Sequence, residues 1–276
     1  MHWQSKSGKI ISLIYPKIAP HIRASKTLTK LIFKVNPYPK YRYTHWDLCT
    51  LVSKKALDKY VKENQRVLEI GPSDVGILCM YIANKIKNID VTGADISPDF
   101  IENAKRNAEK NNLKINYIQS DLFSNVKGLF NIIFFNPPYN VREWGQKYMM
   151  NIPEKTATNV WDGGEDSFDI IRRFLKEVPE YLAPDGKVLL GTTSFFQDDA
   201  MLREVINGSD LTLISVVSSR FNPSNVFVLK KKIYYKPSCN LIHQRYNVIM
   251  PPDNFERRQY GMGKNKGLET KRKRIT

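Results

Sequence analysis

Acidic residues are absent from the first 46 positions, which carry nine Lys or Arg and no Asp or Glu. Cysteine is scarce: Cys49, Cys79 and Cys239 stand far apart, with no C-x-x-C and no grouping with the four histidines. That spacing argues against a disulfide framework or a bound structural metal, and is expected of a chain from a reducing, cytoplasmic setting. No long apolar run exists near the start. "IISLIY" is stopped by Pro16 and Lys17, too short to span a bilayer and without a cleavage-site pattern, so no membrane association is expected. Internal repeats are also lacking.

What is present is ordinary globular material between two basic ends. With 276 residues and 42% hydrophobic content, the chain is long enough for one large α/β domain. The formal net charge is +16, and its distribution is uneven. Residues 47 to 229 hold 21 basic and 24 acidic residues, whereas 230 to 276 hold 13 and 3. The expected organisation is a basic aromatic extension at 1–46, a nearly neutral folded domain at 47–236 and a basic extension at 237–276. The last of these ends in "KNKGLETKRKRIT", which lacks apolar periodicity and reads as disordered. The first contains "NPYPKYRYTHW", cations interleaved with rings, a composition suited to phosphate contact and base stacking on nucleic acid. A solvated terminus that only aids solubility is the plainer reading of both ends, and an organelle-targeting role is a further one for the acid-free start.

Short β-rich runs punctuate the middle at 66–70, 91–95, 115–119, 131–135, 187–193 and 211–217, mostly separated by helical patterns. This alternation predicts a mostly parallel sheet of seven strands with helices on both faces. The seventh run, 225–235, is expected at an edge, protected by its lysines. In such sheets ligands bind beyond the carboxyl ends of the strands. The first strand ends "LEIGPSDVG", where Glu69 is an acceptor and Gly71 and Gly76 permit close backbone approach. The second ends at Asp95, suited to ribose hydroxyls. The third runs into "SDLF", placing Asp121 within reach of an adenine amine. The fourth is followed at once by "NPPY", Asn136 to Tyr139.

These motifs, in this order and over roughly residues 47 to 235, resemble the class I S-adenosylmethionine-dependent methyltransferases, with their Rossmann-like fold. The resemblance implies that Glu69, Gly71, Ser73 and Gly76 line the methionine end of S-adenosylmethionine. It implies further that Asp95 is the ribose ligand and Asp121 the adenine ligand, that their neighbours Ile96 and Leu122 also contact the cofactor, and that Asn136 touches both cofactor and acceptor. Ser73 stands where a second glycine is usual. "NPPY" suits methylation of a planar nitrogen, whose lone pair is delocalised. The Asn136 side-chain oxygen and the Pro137 carbonyl would accept its hydrogens and favour the pyramidal transition state, while Tyr139 stacks on the planar group.

That motif is shared by enzymes of protein glutamine and of adenine in nucleic acid. The later stretch "WDGGEDSFDIIRRFLKEVPEYLAPDGKVLL" resembles the HemK-type release-factor glutamine methyltransferases, although taken alone it also reads as a glycine turn into a helix. The stretch before the first strand departs from that family, keeping only Asp47 as a possible remnant of its acidic motif. Protein glutamine in a release factor or ribosomal protein is therefore expected ahead of adenine in ribosomal or other RNA. A small-molecule acceptor, or an RNA-binding module without catalysis, stands further behind. Residues 140 to 164 are expected to form a substrate-recognition insert. Trp144, Tyr148, Met149 and Met150 suit its lining and suit plain packing equally, and packing is the commoner role for any one of them.

Overall fold

The computed structural model describes residues 22–23, 25–40, 46–139, 162–194, 197–220 and 222–233. The expected insert and the basic carboxyl-terminal extension lie almost wholly outside them. Helix α1 is Lys26–Phe33 and α2 is Leu48–Tyr60. Strand β1 (Arg66–Ile70) leads through a glycine loop to α3 (Ile77–Lys85), then β2 (Asp90–Asp95) to α4 (Pro98–Lys110). Strands β3 (Asn116–Gln119) and β4 (Phe130–Phe135) follow. The chain then forms α5 (Asp169–Glu177), β5 (Leu182–Thr193), α6 (Asp199–Asn207), β6 (Leu211–Ser218) and β7 (Ser224–Lys231).

The seven strands make one sheet in the order β3-β2-β1-β4-β5-β7-β6, parallel from β1 to β5. Strand β7 is antiparallel to both of its neighbours. It lies between β5 and β6, which corrects the expected edge position. Its segment "VFVL" is buried on both faces, and the lysines that suggested an edge begin only at its end. Strand β6 takes the edge instead.

Alternating strand residues feed two cores. Val67, Val91, Ile132, Phe134 and Leu189 pack with α1 to α4 on one face. Leu68, Ile70, Ile133, Phe135 and Leu190 pack with α5 and α6 on the other. This two-sided burial is why the central strands read as unbroken apolar runs.

The described part of the amino-terminal segment belongs to the first core. Phe33 is fully buried, with its ring edge-on to Trp46 at 5.9 Å and to Tyr81 at 6.3 Å. Trp46 is only 7% exposed and its Nε1 donates to Thr29 Oγ1 at 3.0 Å. It is therefore a core residue and not a platform for bases, because its apolar surface is already covered.

Beyond α1, residues 36 to 40 run along α4. The Asn36 N–H donates to Asn111 Oδ1, the Tyr38 N–H to Asn107 Oδ1 and the Lys40 N–H to Asp74 Oδ2, each at 2.7 Å. Asn111 donates back to the Asn36 carbonyl, and Asn107 and Asn103 to that of Tyr38. Two periods coincide here. Asparagines four apart on a helix are about 6 Å apart, close to the about 6.2 Å spanned by two residues of extended proline-type backbone. Pro37 and Pro39, which lack an N–H, fall at the positions between the donors.

Candidate active site

Strand register brings the motif residues into one row. Ile70 pairs with Ala94 on β2 and with Phe135 on β4, so Gly71, Asp95 and Asn136 follow at one level. Phe135 pairs with Leu190, which places Gly191 beside Asn136. Asp95 pairs with Gln119, two residues before Asp121.

The loop after β1 is held by backbone geometry. Gly71, Ser73 and Gly76 all have left-handed φ, at 69°, 61° and 62°. At Gly76 a side chain is excluded twice, since a Cβ would also lie 2.1 Å from the Tyr117 hydroxyl. Ser73 bears the left-handed strain that a glycine would avoid, and its N–H is held by Asp95 Oδ2 at 3.2 Å. Gly76 is the N-cap of α3 and has no side chain to cap it. Glu69 fills that role from the strand, accepting the Cys79 N–H at 3.1 Å. Glu69 is 5% exposed, and burial raises its carboxyl from 4.5 to about 7.

Asp95 is 8% exposed and also accepts the Ser97 N–H at 2.9 Å. Burial raises it to about 6 against the pull of these amide bonds. Its neighbour Ile96 is 42% exposed, an apolar surface at the strand ends. Asp121 is exposed and forms an ion pair with Arg173 of α5 at 3.0 Å. Leu122, with φ of 47°, turns into the second core.

At the end of β4, Asn136 Oδ1 is buried without a hydrogen-bond partner among the described residues. An orphaned buried acceptor costs stability unless something else satisfies it. Gly191 makes the space: a Cβ there would stand 2.8 Å from Cys49 Sγ and 3.2 Å from Asn136 Oδ1. Pro137 is buried, while Tyr139 is half-buried and donates its hydroxyl to Asp47 Oδ2. Burial, then the Asp47 charge, raises the Tyr139 hydroxyl well above its ordinary value, so it remains a donor.

Asp47 is itself fixed as the N-cap of α2. It accepts from the Thr50 N–H at 2.7 Å and hydroxyl at 2.8 Å, while its own N–H donates to Thr50 Oγ1 at 3.0 Å. This Asp47 contact, the Arg173 partner and the bare Gly191 are what sequence reasoning missed. The "DLCT" capping pattern marks a helix start but carries no sign of a tyrosine 92 residues away.

The "GGEDSFD" stretch is a turn into α5. Asp162 accepts the Gly164 N–H at 2.9 Å, and Arg172 bridges Asp166 and Asp169. S-adenosylmethionine needs a close backbone loop, a carboxylate for its diol and an apolar surface for its base. Gly71 to Gly76, Asp95 and Ile96 offer these in one row, so the residues fit that cofactor.

Residues 41–165 match the family model described as a methyltransferase small domain. A putative protein N5-glutamine methyltransferase of Methanocaldococcus jannaschii is 38% identical over 126 residues, covering 46% of this chain and 60% of that protein. The release factor glutamine methyltransferase of Streptococcus pneumoniae is 31% identical over 134 residues, covering 49% of this chain and 48% of that protein. The chain thus spans about half to three fifths of the length of these relatives. A crystal structure of a methyltransferase from Pyrococcus furiosus shares the fold, with a TM-score of 0.57 and 20% identity over 78% of this chain and 97% of that one. The resemblance read from the motifs is borne out by these matches, and the fold is the expected one. No helix among the described residues is long and apolar enough to cross a membrane.

Proposed function

We propose that this chain is an S-adenosylmethionine-dependent N-methyltransferase acting on the side-chain amide of a glutamine in a protein of the translation machinery, within the cytoplasm. The observation that carries the reading is Asn136 Oδ1, a buried acceptor without a protein partner among the described residues, in register with Gly71 and Asp95. The cofactor, when bound, supplies an electrophilic sulfonium methyl. Gly71, Ser73 and Gly76 would line its methionine end, with Glu69 holding the loop from behind. Asp95 would meet the ribose, and Ile96 and Asp121 the adenine, with Leu122 anchoring that turn in the second core and offering its main chain.

The protein's own work is on the acceptor nitrogen. Two hydrogens of a planar amide directed at Asn136 Oδ1 and the Pro137 carbonyl hold the nitrogen in place. The same acceptors bind the pyramidal, electron-rich form more tightly than the flat one, which lowers the barrier. Tyr139, tied to Asp47, keeps its ring in one orientation against the amide plane. Held by these acceptors, the alkylated nitrogen would be acidic enough to lose its proton to solvent without a strong base from the chain. The glutamine named for both relatives supports a protein amide.

Adenine in RNA is the second reading. It is favoured by the acid-free amino-terminal segment, and the same acceptors serve an exocyclic amine. Transfer of labelled methyl into a cell extract, divided into protein and RNA, separates the two. Label traced to N5-methylglutamine is expected, and it should vanish with Asn136→Ala. Label recovered as methylated adenosine would replace the first reading with the second. Binding of RNA without any transfer would leave a non-catalytic module.

A further inference from the structure

Residues 22 to 40 hold Arg23, Lys26, Lys30, Lys34 and Lys40 and no carboxylate. The segment is fixed by neutral groups for the most part, through the Asn103, Asn107 and Asn111 amides and the burial of Phe33 and Val35. Its docking therefore leaves most of its charge in place. Lys26, Lys30 and Lys34 recur at every fourth residue along α1 and its C-cap, all exposed. None of them, nor Lys110 of α4, forms an ion pair with a described carboxylate. Lys26 and Lys110 meet at the Tyr38 ring, 5.8 and 4.2 Å from its centroid. Lys40 reaches Asp99, in the first turn of α4 and four residues past Asp95, so this surface runs up to the strand ends.

We propose that α1, Tyr38 and Lys110 form a docking surface for the phosphate backbone of RNA. The polyanion is argued from three features. First, the cations stand about 6 Å apart along one helix face, a row that a chain of phosphates engages several at a time. Second, the ring of this surface already carries two ammonium groups, and Trp46 is buried. Base stacking is not what it offers, and recognition is of the backbone. Third, Ile22 and Leu31 are the large apolar side chains exposed on α1 and just before it, too few to seat a helix in a bilayer. The surface follows α4 from Lys110 at its carboxyl end to Asp99 near the strand ends and is independent of which nitrogen is methylated, so it goes beyond the proposed transfer.

The test uses the full chain with labelled poly(U), measuring affinity against salt concentration. The K26Q/K30Q/K34Q/K110Q protein is compared with K264Q/K266Q/K271Q/K273Q, which removes the same charge from the carboxyl-terminal extension. The expected result is weaker binding by the first variant at an unchanged melting temperature. Its plot of log K against log salt should be shallower by about 3, from about 0.7 per phosphate contact over four lysines. Loss of binding in the second variant alone would overturn the proposal. So would polyglutamate competing as well as poly(U), or binding to phosphatidylserine vesicles in preference to RNA. The Asn136→Ala protein should bind poly(U) unchanged, so failure of methyl transfer and failure of this surface are read separately.

Discussion

Replacing Glu69 by glutamine tests whether the cofactor loop is held by a buried charge at a cost. The Glu69 carboxyl is raised from 4.5 to about 7 chiefly by desolvation, with the Cys79 amide opposing. At roughly 1.4 kcal/mol per pKa unit this amounts to about 3 kcal/mol of lost stability once the group is ionised. An acid with a raised folded pKa binds more protons folded than unfolded. Its stabilising share is thus fully present below about pH 4.5 and lost as pH rises through about 7. The substituted amide would keep an oxygen for the Cys79 N–H without the charge. In urea unfolding, Glu69→Gln should match the unaltered protein near pH 4 and exceed it by up to about 3 kcal/mol near pH 8. If Glu69 serves the methionine end of the cofactor, calorimetry should show weaker S-adenosylmethionine binding by the more stable variant, the usual exchange of stability for function. Equal destabilisation at both pH values would refute the reasoning, because it would mean the ionised carboxylate is well solvated or paired.

Asp95, raised to about 6, should accept ribose hydroxyls best when ionised, so S-adenosylmethionine affinity should rise as pH passes upward through about 6. Asp95→Asn should weaken binding and flatten that dependence. Ser73→Gly should stabilise the chain by about 1 kcal/mol in thermal unfolding, through relief of left-handed strain at φ 61°. A loss would show that the interactions Ser73 makes outweigh the strain. Gly191→Ala, which crowds Asn136 Oδ1 and Cys49 Sγ, should lower methyl transfer by at least about tenfold, a loss of about 1.4 kcal/mol in the transition state, while cofactor binding remains. Asp47→Asn preserves an N-cap and Tyr139→Phe removes only a hydroxyl, so both should fold normally. Each should slow transfer severalfold, and the double variant should be no slower than the worse single one, as expected for one shared contact. Additive effects would separate Asp47 from Tyr139.

Legibility followed the range of the physics. Strands β1, β4 and β5 were readable because burial on both faces writes itself as a near-continuous apolar run, β2 and the edge strand β3 because short β-rich segments alternate there with helical patterns, and Asp95 and Asn136 because they sit where strands stop. The edge assignment of β7 failed because Lys230 to Lys232 mark only the end of the strand, whereas "VFVL" within it is buried on both faces. The Tyr139 to Asp47 contact and the ion pair of Asp121 with Arg173 join residues 92 and 52 apart, and no local pattern encodes such a meeting.

"NPYPK" is a different case, because its side chains carried the whole reading and its main-chain signal was passed over. Its rings and cations suggested nucleic acid, but the alternation of proline with non-proline is a backbone pattern, leaving an N–H free at every second residue. The matching pattern, asparagine at every fourth residue in "NAKRNAEKN", lies on α4 some seventy residues later. Neither half implies the other until the steps of helix and extended chain are compared. Once they are, the rings and cations acquire a different meaning. The main chain of the segment is committed to the fold, and that commitment is what holds Lys26, Lys30 and Lys34 in a fixed row where a free arm would have scattered them.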